Sequence, residues 1–329
     1  MVYRLSIIAM LMCLHTGFCM SQESRLRIVG SASMISDIAY NVIGDLHDIQ
    51  TIVPVGGDPH LHEPTPRDAQ LVNQADLILI NGLTFEGWIN KLIDNSGSKA
   101  EVTVVTDGVE ILNSTVYRNS TDPHAWMIAT NGIIYAKNVM RAMQSLDPDN
   151  SNIYARNFSN YQKELLDLHE YIEEKISLIP EKQRILITSH DAFQYFGRGY
   201  DIRLEAIQGI STEAEAQTSD IVRVNKVIQE NEVPAIFVES TINPKLIEQL
   251  AADNNIAIGG ELFADSLGDK ESGADTYVKM LKYVTDTIYE GLTSQKPVSV
   301  QKKTNYGLLA LIGVILVTGL LVVLLRLNR

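Results

Sequence analysis

Apolar residues recur along this chain in two rhythms. Short runs rich in β-branched side chains, at residues 26–30, 51–55, 77–80 and 102–105, alternate with stretches such as 35–43 and 67–74, where apolar positions return every three or four residues. The first rhythm belongs to buried strands and the second to helices packed on them. Their alternation predicts a parallel sheet with crossover helices. A second set follows, with strands at 184–188, 204–207, 235–239 and 256–259 and helices at about 216–230, 245–253 and 276–291. Between the sets, Asp147-Pro148-Asp149-Asn150 supplies helix-starting chemistry. Ile153, Tyr154, Phe158, Tyr161, Leu165, Leu168, Ile172 and Ile176 then fall on one helical face, and Pro180 ends it. About 28 residues of helix would extend ~42 Å, enough to run the length of both sets. The predicted fold class is therefore α/β: two α/β lobes with parallel-type sheets, residues 22–147 and 181–292, bridged by a long rigid helix within 148–180 and enclosing a cleft. There is no internal sequence repeat or low-complexity tract.

The two ends of the chain read differently. Residues 1–21 carry one charge, Arg4, ahead of an apolar run from 5 to 14, with small or turn-forming residues behind it; this is the pattern of a secretory signal peptide. Residues 306–325 contain no charge and are flanked by Lys302, Lys303, Arg326 and Arg329. Twenty such residues span ~30 Å as a helix, the thickness of a bilayer core. They are read as a C-terminal transmembrane anchor, joined to the lobes by a polar linker at 293–305. Signal and anchor together expect residues 22–301 outside the cytoplasm. The basic flanks show no bias between the two sides, so this orientation rests on the signal peptide.

This division sharpens the charge balance. The whole chain has 27 basic and 40 acidic residues. Five of the basic residues and none of the acidic ones lie in the two end segments, leaving 22 against 40, a formal −18, between them. Such a surface repels nucleic acid and attracts cations. Both cysteines, Cys13 and Cys19, fall in the leader, so no disulfide staples the remainder, although its compartment would permit one. Phe18 stands where a small residue is expected ahead of a lipidated cysteine, which argues against lipidation at Cys19.

The candidate chemistry sits just after predicted strands, where open α/β sheets place their ligands. His60 follows the 51–55 run through Gly56-Gly57-Asp58-Pro59. His124 lies in a second Asp-Pro-His, at 122–124. His190 directly follows the 185–189 run, and Asp265 follows the strand at 256–259. Three imidazoles and a carboxylate suit a borderline divalent ion, zinc or manganese. Ligands drawn from four distant loops have no regular spacing, so the residues alone leave structural histidines as an equal reading. His47 and His169 are expected on the solvated surface. His62, at an alternate position from His60, is expected to point away from it. Glu239, ending a strand, is a candidate acceptor for a ligand histidine or a plain strand-end carboxylate.

The segments GGDPHLHEPTPRD (56–68), DPHAW (122–126), TSHDAFQYFGRGY (188–200), PAIFVESTINPK (234–245) and GGELFADSLGD (259–269), in this order, resemble the cluster A-I substrate-binding proteins of bacterial metal ABC importers, the TroA-type family. The resemblance covers about residues 26–291. It implies two lobes on a rigid backbone helix, one zinc, manganese or iron ion in the cleft, and delivery of that ion to a permease with its cytoplasmic ATPase. It also implies metal ligands at His60 and His124 in the first lobe and at His190 and Asp265 in the second, with no catalytic activity. The histidine-rich loop of many zinc-dedicated members would fall between Asp107 and Asp122, where this chain has no histidine. A C-terminal anchor departs from relatives that are free in the periplasm or held by an N-terminal lipid. A role as a metal-binding adhesin is the first alternative. An envelope metallohydrolase is disfavoured because four protein ligands would leave no open position and no HExxH-like motif supplies a base. A eukaryotic membrane glycoprotein, suggested by sequons at Asn113, Asn119 and Asn157, fits poorly with a cysteine-free ectodomain. One lobe pair per chain suggests a monomer.

Overall fold

In the computed structural model, residues 25–113, 121–212, 216–231 and 233–294 are described. The leader, the anchor segment and all of the linker beyond Ser294 lie outside them; Thr293, expected in the linker, ends the last helix. Four parallel strands, β1 (Arg27–Gly30), β2 (Asp48–Thr51), β3 (Leu77–Ile80) and β4 (Glu101–Val104), form the first sheet in the order β2-β1-β3-β4. Their crossovers are α1 (Ser33–Ile43), α2 (Pro66–Asn73) and α3 (Ile89–Ser96). Helix α4 (Ala129–Leu146) then packs along α5 (Ser151–Ser177). The second half pairs β5 (Ile185–Thr188) with β6 (Arg203–Ala206), and β7 (Ala235–Glu239) with β8 (Ala257–Leu262), all parallel. Strands β5 and β7 lie side by side, so the spatial order β6-β5-β7-β8 repeats that of the first sheet. Helices α6 (Gln194–Tyr200), α7 (Thr218–Asn231), α8 (Lys245–Asn254) and α9 (Tyr277–Thr293) complete the described fold.

Side-chain alternation on these strands sorts the core into three parts. Ile28, Leu77, Leu79, Leu186 and Phe237 face one large cluster built with α1, α4, α5 and α9. Val29, Ile78 and Ile80 face the opposite way, under α2 and α3, while Ile185, Ile187, Ile236 and Val238 face α7 and α8. Each sheet is thus covered on both faces, which is why the inner strands β3, β5 and β7 are buried throughout, whereas the outer strands β2, β4 and β6 carry polar residues. The large cluster draws on both halves, and α5 buries Tyr154, Tyr161, Leu165, Leu168, Ile172 and Ile176 in or against it. At about 1.5–3 kcal/mol for each large apolar side chain removed from water, this one face ties the helix firmly to the shared cluster.

Several expectations change. The second strand lies at 48–51 rather than 51–55; Ile52 and Val53 are buried just beyond it, and Pro54 lacks the N–H a further pairing would need. Helices α3, α4 and α6 were not anticipated, and α4 carries Gly132 and β-branched residues that weaken its helical signal. His47 is not solvated: its side chain is only 9% exposed, and Nε2 lies 2.9 Å from both Asp147 Oδ2 and the Tyr154 hydroxyl. His169 is partly covered and meets the Tyr200 hydroxyl through Nδ1 at 3.1 Å. Asn157, in one of the sequons, uses its side-chain amide to donate to the Val42 carbonyl at 3.0 Å.

Candidate metal centre

The two Asp-Pro-His tripeptides do the same local work. Asp58 Oδ1 accepts from the His60 backbone N–H at 2.8 Å, and Asp122 Oδ1 accepts from the His124 backbone N–H at 2.9 Å. These are Asx turns, in which a short carboxylate folds the chain tightly two residues on. Each lifts a histidine off the sheet edge, His60 in the loop after β2 and His124 in the loop after β4. The carboxylates differ in their second contact: Asp122 Oδ1 also reaches His124 Nδ1 at 2.7 Å, whereas Asp58 Oδ2 accepts from Thr212 Oγ1 of the other half at 2.7 Å.

The second half contributes from strand ends. His190 stands two residues past β5, and its backbone N–H donates to Glu239 Oε1 at 2.9 Å. Its ring Nδ1 lies 2.6 Å from Glu239 Oε2, so the last residue of β7 holds both the backbone and the ring of its neighbour. Asp265 follows β8 in a segment clamped on either side. Trp126 Nε1 donates to the Ala264 carbonyl at 2.9 Å, Ser266 Oγ accepts from Gly56 N at 2.7 Å, and Leu267 N donates to Ser33 Oγ at 3.0 Å. All three bonds cross between the halves.

The four groups meet at one point. His60 Nε2 and His124 Nε2 are 3.3 Å apart; Asp265 Oδ1 is 3.3 Å from His124 Nε2, and Asp265 Oδ2 is 3.1 Å from His190 Nε2 and 3.9 Å from His60 Nε2. One donor atom from each of the four lies within 4.8 Å of the others. A tetrahedron with ~2.1 Å metal–ligand bonds has edges of about 3.4 Å, so the donor set is already spaced for one ion. Both Asp265 oxygens are buried without a well-directed hydrogen-bond donor, as is His190 Nε2, and such groups are costly unless something else satisfies them.

Burial and charge set the protonation of the ion-free site. Burial drives His60 down to about 3. Burial alone would lower His124 too, but the hydrogen bond and charge of Asp122, with help from Asp265, bring it up to about 9. His190 is opposed by burial in the same way and carried well above the ordinary range by Glu239 and Asp265. Asp265, which burial would raise, is held well below the carboxylate range by the charge of His190 and by His124. The walls are apolar: the Phe85 ring stands 4.9 Å from His60 and the Trp126 ring 5.3 Å from His124. A histidine donating its second nitrogen to a carboxylate is the usual support of a metal-binding imidazole.

The structure thus brings together all four residues singled out in the sequence and leaves His62 out. Of the two readings open for Glu239, the structure gives it the place beside His190. Asp122 was passed over as a ring partner, although its Asp-Pro-His context marked it, and the crossing contacts of Trp126, Ser33 and Ser266 carried no signal in the sequence.

Residues 28–291 match the family described as zinc-uptake complex component A, periplasmic. The chain is 36% identical over 296 residues to the metal ABC transporter substrate-binding lipoprotein SsaB of Streptococcus sanguinis, covering 88% of this chain and 96% of that one. Against the manganese ABC transporter substrate-binding lipoprotein PsaA of Streptococcus pneumoniae serotype 4 the identity is 34%, covering 89% and 97%. Among solved structures, the periplasmic zinc-binding protein TroA of Treponema pallidum superposes with a TM-score of 0.78 at 30% identity, covering 82% of this chain and all of TroA. A manganese-bound periplasmic metal-binding protein from Candidatus Liberibacter asiaticus gives 0.75 at 28% over the same shares. With the family match extending over all four converging side chains, the chain belongs to the ZnuA/TroA-type family of metal-binding components of ABC importers.

Proposed function

We propose that this chain is the extracytoplasmic substrate-binding component of an ABC importer. It captures one divalent transition ion, zinc or manganese, between lobes 22–147 and 181–292 and hands it to a membrane permease driven by a cytoplasmic ATPase. The observation that carries this is the convergence of His60, His124, His190 and Asp265 from both halves, with donor atoms spaced for one ion. As ligands, the three neutral imidazoles supply nitrogen and Asp265 supplies charge. Both Asp265 oxygens face the centre, so the carboxylate can bind through one oxygen, as tetrahedral zinc prefers, or through two, as manganese with its oxygen preference favours. An ion held from both sides ties the halves together, while the shared core and the continuous helix α5, which contains no proline, restrict opening to a small tilt and local loop movement.

The protein works outside the cytoplasm, held at the membrane by the helix read at residues 306–325 and reaching its partner through the linker at 293–305. Among the described residues no helix is long and apolar enough to cross a membrane, so the anchor rests on the sequence of that segment alone. Relatives bearing the word lipoprotein in their names make lipid at Cys19 the competing attachment.

The test is metal-free residues 22–301, expressed without leader and anchor, titrated with zinc and with manganese. Calorimetry should give one ion per monomer. Melting should rise with added ion, by about 2.7 kcal/mol of stabilisation at a hundredfold excess over Kd. A melting point indifferent to both metals overturns the reading.

A further inference from the structure

We propose a second, outer cation station at the mouth of the cleft, formed by His62 and Glu63, through which the ion passes before it reaches the four converging groups. This rests on the metal-binding reading of those groups. Of the four, only His60 keeps appreciable exposure, 8% against 0 or 1% for the others. A cavity of about 480 Å³ opens onto it, lined by residues 60–63, Phe85 and Trp88 from the first half and by Ile210 and Ser211 from the second. That is far more than a bare ion needs. A divalent ion with six waters takes about 180 Å³ at ~30 Å³ per water, so the cavity admits the ion still hydrated.

The wall carries the chemistry to receive it. His62 Nε2 lies 3.1 Å from Asp68 Oδ2, repeating the histidine–carboxylate pairing seen at His124 with Asp122 and at His190 with Glu239. Asp68 is itself fixed, because its Oδ2 accepts from both the backbone N–H and the hydroxyl of Thr65 at 2.8 Å. With Nε2–H turned to Asp68, Nδ1 is the nitrogen left for a cation, and Glu63 beside it is exposed and acidic. An ion entering four nearly dry ligands in one step would surrender its whole hydration shell at once, at high cost. An imidazole and a carboxylate at the mouth let that shell be given up in stages. His62 lies two positions from His60, so the second step is short.

The chain has two tryptophans, and one stands at each station: the His62 ring is 4.8 Å from Trp88 and the His124 ring 5.3 Å from Trp126. Stopped-flow fluorescence on metal-free residues 22–301 mixed with Mn²⁺ should therefore show an early Trp88 phase before the final signal, absent from Trp88→Phe. The station is removed by His62→Gln, whose amide still donates to Asp68, combined with Glu63→Gln; Glu170→Gln on exposed α5 serves as the charge control. Because a waypoint speeds entry and exit alike, association and dissociation should both slow, on the order of tenfold, with Kd changed less than twofold. Association at the unmodified rate, with the early phase intact, overturns the station. So does a Kd that weakens in step with faster dissociation, which would put His62 in the final ligand set. Failure of the unmodified protein to bind metal would instead overturn the proposed function.

Discussion

The indole N–H of Trp126 donates to the Ala264 carbonyl at 2.9 Å, joining the segment two residues past His124 to the residue just ahead of Asp265. This bond, with those of Ser266 and Leu267, therefore helps set the distance between a first-half and a second-half donor. Trp126 is fixed from its other side, where the Tyr277 hydroxyl donates to the Trp126 carbonyl at 2.5 Å. The Tyr277 ring has room there only because Gly132 of α4 has no side chain: a Cβ at that position would lie 2.7 Å from the ring.

Gly132→Ala should consequently act at a distance. It forces Tyr277 to shift within a packed core, which typically costs about 1–3 kcal/mol, and loosens Trp126 with it. Thermal melts should show lower stability without metal, and titration should show weaker ion binding although no proposed ligand has changed. Unaltered metal affinity would mean that the Tyr277–Trp126 contact does not position the site.

Asp265→Ala leaves three imidazoles and removes the one negative donor. We expect weaker binding of both ions, with the larger loss for manganese because of its preference for oxygen. His60→Ala should weaken both more evenly. Competition titrations of zinc against manganese check this, and an Asp265→Ala protein with undiminished manganese affinity would show that the carboxylate is no ligand.

The pH response has a definite sign. In the ion-free protein His124 is raised to about 9 and His190 is raised well above its ordinary range, so both hold protons at neutral pH that an incoming ion must displace. Apparent affinity should climb as pH rises from 6 to about 9, with proton release on binding visible by calorimetry in buffers of different ionisation enthalpy. For the ion-free fold, the raised pKa of His124 gives stability that is full below 6.5 and lost as pH rises toward about 9. The lowered pKa of His60, about 3, gives stability that is present above 6.5 and lost as pH falls toward 3. Melting points of the ion-free protein should therefore fall as pH rises from 6.5 toward 9, and a continuous rise from pH 6 to 9 would contradict these assignments.

Attachment is separable from binding. Full-length protein should stay with membranes after carbonate washing, and a chain ending at Gln301 should be released with its metal affinity intact. Retention of the truncated chain, lost on replacing Cys19, would move the anchor to the N-terminal end.

Much of this was legible in the sequence because local physics wrote it there. Strands covered on both faces must be continuously apolar, and the helix Ser151–Ser177 must repeat its apolar face every three or four residues; both patterns survive with no knowledge of partners. The repeated Asp-Pro-His was legible for the same reason, since an Asx turn is made within three residues. Helix α4 was missed because its stability comes from packing on α5 and against Tyr277 rather than from its own composition, which includes Gly132. His47 was misplaced because Asp147 and Tyr154, about a hundred residues away, decide its burial. The choice of His60, His124, His190 and Asp265 needed the order of whole motifs, since nothing in the spacing of four distant loops specifies a common point. Only the tertiary structure could set the Asp122 and Glu239 carboxylates on the imidazoles, bring Trp126 to Ala264, and turn His62 toward Asp68 while His60 faces the centre. Those contacts join residues from 2 to 138 positions apart. The long-range ones among them exist because parallel strands carry their C-terminal ends to one edge, where loops remote in the chain become neighbours.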